Sequence, residues 1–249
     1  MSVSPTLEGQ RILVVGASAG IGAAFATSAA AAGADVVVSA RRLDKLEELV
    51  AVLGSGHAIA ADVSDEGACK QLVDAAVERL GGLDLVLYTA GTAVLSPLRD
   101  AGADAWRTSY EVNVVGPAMV AQAAVPHMSN EGMIAFLSSE AVHEFRWGMG
   151  TYAASKAALD VAITYWRNEH PDRRFSRIVI GATMPTEFGN NFTDMDVLTE
   201  ALGKWAESGI PMTAMETSDV GLHLAELMGV VLAHPEIDLP DLYLDARLG

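Results

Sequence analysis

The chain has 249 residues, 51% of them hydrophobic, enough for a large domain with a substantial core and against a disordered chain. Its formal net charge is −16, which excludes binding to nucleic acid or an anionic membrane through a general basic surface. Cys69 is the one cysteine, so an intrachain disulfide framework and a cysteine zinc cluster are both excluded, no metal site is expected, and a reducing cytoplasm fits. The start, MSVSPTLEGQ, lacks the basic n-region and apolar core of a signal peptide. Ile12 to Ala34 carries no charge, but its glycines, Ser/Thr residues and weakly apolar alanines argue against a membrane-spanning helix.

Arg11 to Gly22 reads RILVVGASAGIG. Ile12 to Val15 has the composition of a strand buried on both faces. Gly16, Gly20 and Gly22 follow, then an Ala-rich run, Ala23 to Ala32, that predicts a helix closed by Gly33. Asp35 to Ala40 is a second strand, ended by Arg41 and Arg42. Leu43 to Leu53 has helical spacing at Leu46, Leu49, Val50 and Leu53. A short third strand, His57 to Ala61, is closed by Asp62-Val63, and Ser64 is expected to cap a helix from Asp65 to Leu80. Leu83 to Tyr88 is a fourth strand, followed by Thr89-Ala90-Gly91. A long helix is expected over Asp104 to His127, bent at Gly116-Pro117. Gly132 to Leu137 is a fifth strand ending in Ser138-Ser139, Thr151 to Asn168 a helix, and Arg177 to Gly181 a sixth strand. Thr186 to Pro211 is irregular with a helix around Val197 to Ala206. Ser218 caps a last helix to Ala233, and Leu242 to Leu244 is a short final strand.

Strands and helices alternate, and the strands are continuously apolar. That predicts an α/β architecture, a mostly parallel doubly wound sheet with helices on both faces. No linker, repeat or composition shift divides it, so one domain over 1–249 is expected. Ligands of such sheets sit outside the carboxyl ends of the strands, so the chemistry belongs just after each strand. After strand one, a strand, a glycine turn and a helix N-terminus make an anion site; the same turn can also do no more than link strand to helix. After strand five comes Ser139, and then Tyr152-Ala-Ala-Ser-Lys156 opens a helix. Tyr152 and Lys156 are four apart and share one face. A nearby ammonium favours the phenolate and would move the tyrosine pKa towards a working acid–base range.

These residues resemble the short-chain dehydrogenase/reductase family over roughly Arg11 to Thr186, and more weakly beyond. Gly16, Gly20 and Gly22 match its phosphate turn, Asp62 the residue at the adenine ring, and Ala90-Gly91 the end of its Asn-Asn-Ala-Gly turn. Asn113, Ser139, Tyr152 and Lys156 match its catalytic tetrad, and Thr186 its nicotinamide-binding threonine. The resemblance implies a single Rossmann-type domain and a nicotinamide dinucleotide cofactor. It extends the cofactor set to Ser18, Ile21, Val63 and Met184 and implies that Tyr152 and Lys156 also touch the cofactor. In the family Asn113 bends its helix and holds a water on a proton path to Lys156; read without the family, it is a buried Asn bonded to backbone. A homo-oligomer, dimer or tetramer, packed through the Thr151 and Ser218 helices is a further implication. The chain departs from the family at Val15, at Tyr88-Thr89 in place of two asparagines, at Gly181-Ala182 in place of Pro-Gly, and at its LYLDARLG ending.

Ala40 stands where NAD-binding members carry an acid, and Arg41, more than Arg42, is placed to pair with a 2′-phosphate, so NADP is expected over NAD. His143, Phe145, Trp147 and Met149 either wall a substrate pocket or pack as surface loop, and Glu140 either shapes the pocket or faces solvent. Met184, Met195, Met212 and Met215 either form an apolar lid or fill gaps, and Cys69 reads as a core residue. The activity this implies is NADP-dependent interconversion of a secondary alcohol and a ketone on a small, hydrophobic substrate. The alternatives are a nucleotide-binding regulatory protein of the same fold without turnover, and a sugar-nucleotide epimerase, disfavoured by the short region after Thr186.

Overall fold

The computed structural model describes residues 6–210 and 213–246. Met1 to Pro5, Pro211, Met212 and the last three residues of the LYLDARLG ending lie outside them. Seven strands form one parallel sheet: β1 (Arg11–Val15), β2 (Asp35–Ala40), β3 (His57–Ala60), β4 (Leu83–Tyr88), β5 (Met128–Ser139), β6 (Arg174–Ile180) and β9 (Asp241–Leu244). Their order is β3-β2-β1-β4-β5-β6-β9. The reversal at β1 and β4 is the switch point of a doubly wound Rossmann sheet, where a crevice opens beyond the carboxyl ends. Val15 pairs with Ser39 on one side and Tyr88 on the other.

Alternation along β1 explains its unbroken apolar run. Ile12 and Val14 face one core with Phe25 and Ala29 of α1 (Gly20–Ala31), Leu46 of α2 (Leu43–Leu53), and Val220 and Leu224 of α8 (Thr217–Ala233). Leu13 and Val15 face the other, with Leu72 and Val73 of α3 (Glu66–Leu80), Val120 of α5 (Gly116–Ala124), and Leu159 and Ile163 of α6 (Gly150–Glu169). Cys69 is buried in this second core, and burial pushes its thiol up to about 11, so it is a core residue and no nucleophile. No helix among the described residues is long and apolar enough to cross a membrane.

Several boundaries move. Asp65, not Ser64, caps α3, accepting from the Ala68 N–H at 2.8 Å, while the Ser64 hydroxyl is spent on Asp62. The last helix carries no side-chain cap, so Ser218 lies inside its first turn. Thr183–Met184 (β7) pairs with Met215–Glu216 (β8) in a short parallel ladder outside the elements expected from the sequence. α7 covers Met195–Glu207, and β5 and β6 both begin before their apolar runs.

The largest departure lies in the long helix. It is α4 (Ala103–Tyr110), then a π-helical turn over Glu111–Val115, then α5. The break therefore precedes Gly116-Pro117, and its cause is backbone bookkeeping. The Gly116 N–H reaches back five residues to the Glu111 carbonyl. Pro117, five beyond Val112 and four beyond Asn113, has no N–H to offer either. The Tyr88 hydroxyl makes good the first deficit, donating to the Val112 carbonyl at 2.8 Å. Tyr88 is fully buried, and Gly116 is required because any Cβ would lie 2.6 Å from that hydroxyl.

Tyr88→Phe keeps the ring and leaves this part-buried carbonyl without its donor, a loss of about 1 kcal/mol. In a chain of this size the melting temperature should fall by about 2–4 °C per kcal/mol. Thermal denaturation of the two proteins measures it, and an unchanged midpoint would show that the hydroxyl is dispensable to the turn.

Candidate active site

One cleft of about 700 Å³ runs along the carboxyl ends of the strands. Every sequence-predicted site residue lines it except Asn113, which sits behind Thr92 and Gly91. The glycine turn forms one wall. Gly16 has φ +95°, and a Cβ there would stand 2.4 Å from the Ala90 nitrogen. A Cβ on Gly22 would stand 2.4 Å from Thr89 Oγ1. Thr89 donates its hydroxyl to the Val15 carbonyl at 2.9 Å and shares it with that of Gly16 at 3.2 Å. These bonds hold the turn that two asparagines hold elsewhere. α1 begins with no side-chain cap and no acidic residue in its first turn. Free N–H groups, a positive dipole end and a glycine cradle that a Cβ would fill all fit a dinucleotide pyrophosphate.

Ala40, Arg41 and Arg42 end β2 at the same cleft, with Asp62 and Val63 beyond β3. Asp62 Oδ1 accepts from the Ser64 N–H at 3.0 Å and from its hydroxyl at 2.8 Å, and these bonds hold the carboxyl below its usual range. Arg42 is spoken for: it donates to Ser18 Oγ at 2.9 Å and pairs with Glu187.

Asn113 is buried in the π turn. Its Oδ1 accepts from the Thr92 N–H at 2.9 Å, and its Nδ2 donates to the Thr92 carbonyl at 2.8 Å and to Ser155 Oγ at 2.9 Å. Ser155 in turn donates to the Tyr152 carbonyl at 2.7 Å. The side chain thus ties the loop after β4 to α6. Lys156, only 3% exposed, donates to the Leu137 carbonyl at 2.7 Å. Its nitrogen lies 5.9 Å from the centre of the Tyr152 ring. Ser139, at the end of β5, accepts from the Ala141 N–H at 3.2 Å.

The expected lowering of the Tyr152 pKa is corrected by its surroundings. Burial pushes the phenol up to about 12, outweighing the hydrogen bond from Ser139 and the Arg146 charge. The Phe188 ring stands edge-on to Tyr152, centroids 5.0 Å apart. Burial also brings Lys156 down to about 8, against the opposing pull of Asp160. For both groups, removal from water is the largest cause of the shift.

The pocket-wall reading of the loop after Ser139 holds only in part. Phe145 is 81% exposed, and Phe145, Trp147 and His143 are not cleft residues. Trp147 packs beside Trp205 instead and accepts its indole N–H at 2.9 Å on its carbonyl. Met149 and Arg146 line the cleft. Glu140 also lines it and pairs with Arg146; burial raises its carboxyl above the usual range, opposed by that guanidinium. Of the expected lid methionines, Met184 alone among those described reaches the cleft; Met195 is exposed on α7 and Met215 packs against the core under the sheet. The residues missed in the sequence are Phe188, Phe192 and Trp205, in the stretch after Thr186. Their aromatic spacing was visible there, but nothing local says that this stretch folds back over Tyr152.

The model of the short chain dehydrogenase family matches residues 10–197. The chain is 31% identical over 228 residues to short chain dehydrogenase/reductase AacuN of Aspergillus aculeatus, spanning 89% of this chain and 83% of that protein. It is 33% identical over 207 residues to glycine betaine reductase ATRR of Emericella nidulans, spanning 81% of this chain but 16% of that protein's length. A short chain dehydrogenase from Burkholderia cenocepacia, crystallised in complex with NADP, superposes with a TM-score of 0.81 at 29% identity, covering 96% of this chain and 97% of that one. The protein belongs to the short-chain dehydrogenase/reductase family. As such it is an NAD(P)-dependent oxidoreductase acting on CH–OH groups.

The two displaced pKa values predict a stability profile. Folded Lys156 loses its proton near pH 8, whereas in the unfolded chain a lysine keeps it to about 10.4. The unfolded state therefore binds more protons across that interval, and this site makes stability rise with pH. Tyr152 acts oppositely between about 10 and 12, where only the folded state keeps the phenolic proton. Urea denaturation at pH 8, 9 and 10 should show wild type gaining on Lys156→Met as pH rises. A constant difference would place the folded lysine at its ordinary pKa.

Proposed function

We propose that the protein is an NADP-dependent enzyme interconverting a secondary alcohol and a ketone. The observation that carries this reading is the convergence of Ser139, Tyr152 and Lys156, backed by Asn113, on the cleft that the glycine turn also lines. A bound nicotinamide would supply or accept the hydride. Gly16, Ser18, Gly20, Ile21 and Gly22 would hold the pyrophosphate, Asp62 and Val63 the adenine, and Arg41 and Arg42 a 2′-phosphate. Ala90, Gly91, Met184 and Thr186 would flank the nicotinamide half, together with Tyr152 and Lys156.

Ser139 holds the substrate oxygen with its hydroxyl. Tyr152 gives its proton to that oxygen as a ketone is reduced and takes one back in the reverse direction. Burial keeps the phenol protonated, which is the form needed at the start of reduction. Lys156 holds the nicotinamide ribose and stabilises the phenolate left after the transfer. Asn113, clamped to Thr92 and Ser155, fixes the position of the helix that carries both. Phe188, Phe192, Met149 and Trp205 offer an apolar wall beside Tyr152, which supports a hydrophobic substrate. NADP over NAD is supported by Ala40 and the two arginines, and by the NADP complex of the Burkholderia relative. The exposed Val161 and Tyr165 of α6, and Leu222 and Val230 of α8, support a homo-oligomer through those helices. The single sheet from Arg11 to Leu244 supports one domain.

Tyr152→Phe should lower turnover by roughly 10²–10⁴-fold on a panel of ketones while NADPH binding persists. Wild-type turnover in the Phe variant, or no turnover of any ketone by the wild type, would remove the enzymatic role of this residue set. Arg41→Ala should weaken NADPH by about one to two decades and leave NADH nearly unchanged, since a charged hydrogen bond contributes about 1.5–3 kcal/mol. Dissociation constants from NADPH and NADH fluorescence decide it; equal binding of both cofactors by the wild type would overturn the NADP assignment.

A further inference from the structure

Arg42 stands at the N-terminus of α2, where the chain leaves β2. Its guanidinium takes Glu187 in a two-pronged grip, Nη2 to Oε2 at 2.5 Å and Nη1 to Oε1 at 3.2 Å, and also reaches Ser18 Oγ. Ser18 belongs to the glycine turn, and Glu187 sits between Thr186 and Phe188. All three line the cleft, so the pair bridges its two walls. The side chains are 44% and 47% exposed, and a pair so solvated adds little to stability. Its geometry is the fork by which arginine takes a carboxylate or a phosphate. The N–H groups that hold Glu187 cannot at the same time hold a phosphate.

We propose that Glu187 is a specificity-determining residue, an internal competitor that occupies Arg42 and weakens the recognition of a 2′-phosphorylated adenosine. This rests on the reading that the 2′-phosphate lies at the end of β2. A nucleotide carrying that phosphate must draw Arg42 away from Glu187, or settle beside a carboxylate of its own sign. A nucleotide with a free 2′-hydroxyl meets neither obstacle. Arg41 makes no such forked pair with a carboxylate among the described residues, although its charge acts on the nearby Asp62 carboxylate, and its guanidinium is left to attract the phosphate. The affinity for the phosphorylated nucleotide is therefore the balance of Arg41 and Arg42 against Glu187, and it is set from the loop that also carries Phe188 onto Tyr152.

Titration calorimetry with adenosine 2′,5′-bisphosphate and 5′-AMP tests this without hydride chemistry. Glu187→Gln in the full chain should tighten the bisphosphate by about two- to fivefold and leave 5′-AMP unchanged. The gain should shrink at high salt, because the site is solvated. It should vanish in an Arg42→Ala background, since there is then no cation to compete for. No tightening, equal tightening of both nucleotides, or an undiminished gain without Arg42 would each overturn the proposal. Glu187→Ala, with circular dichroism of each variant, separates competition from a folding defect. If wild type binds both nucleotides alike while Glu187→Gln gains on the bisphosphate alone, the competitor stands and the NADP preference falls. If wild type prefers the bisphosphate and Glu187→Gln changes nothing, the preference stands and the competitor falls.

Discussion

Pro117 withholds a backbone N–H in the middle of a buried helix, and the arrangement of the cleft depends on how that deficit is met. An unpaired buried carbonyl is expensive, so the backbone opens into a π turn and a tyrosine from the neighbouring strand supplies the donor. The opening turns Asn113 towards the loop after β4 and towards α6, where it binds Thr92 and Ser155. Thr92 lies one residue beyond Gly91, and Ser155 one residue before Lys156. A single missing donor thereby couples β4, the π turn and the helix that carries Tyr152 and Lys156. Tyr88, the last residue of β4, is long enough to reach the helix with its hydroxyl.

Electrostatics at the cleft run against the charge of the whole molecule. The chain carries thirty-two acidic residues against sixteen Lys and Arg, and the ligand, on the proposed reading, is itself anionic. Long-range attraction is absent, so recognition falls to a glycine cradle, a helix N-terminus and two arginines within a Debye length. Deeper in, desolvation governs. It holds Tyr152 protonated and loosens the proton on Lys156, although the two lie on one helix face. Glu140 and Arg146 are part-buried as a pair near Ser139, which keeps either charge from standing alone there.

Much of this was legible before folding. Continuous apolar runs of four to six residues, separated by helical spacing, can be satisfied only by strands covered on both faces, and the sheet follows. Gly16 and Gly22 were legible because no other residue permits such close approach of Thr89 and Ala90. Loop side chains were not. Phe145 and Trp147 share a loop with Met149, yet Met149 reaches the cleft while Phe145 faces solvent, because Trp205, distant in sequence, packs on this loop against Arg146 and Trp147. The choice between Ser64 and Asp65 as a cap turned on a near neighbour instead; the Asp62 carboxylate takes Ser64, and Asp65 is left for the helix.

The sequence by itself determined the alternation of strands and helices, the glycine turn and the spacing of Tyr152 and Lys156, because each depends on neighbours within a few residues. Tertiary structure alone decided what lies over Tyr152, how strongly burial displaces its proton, and that Glu187 meets Arg42 across the cleft. Those are contacts between segments up to 145 residues apart. Their energies come from the water that packing removes and from the charges it brings together, and neither is encoded in local spacing.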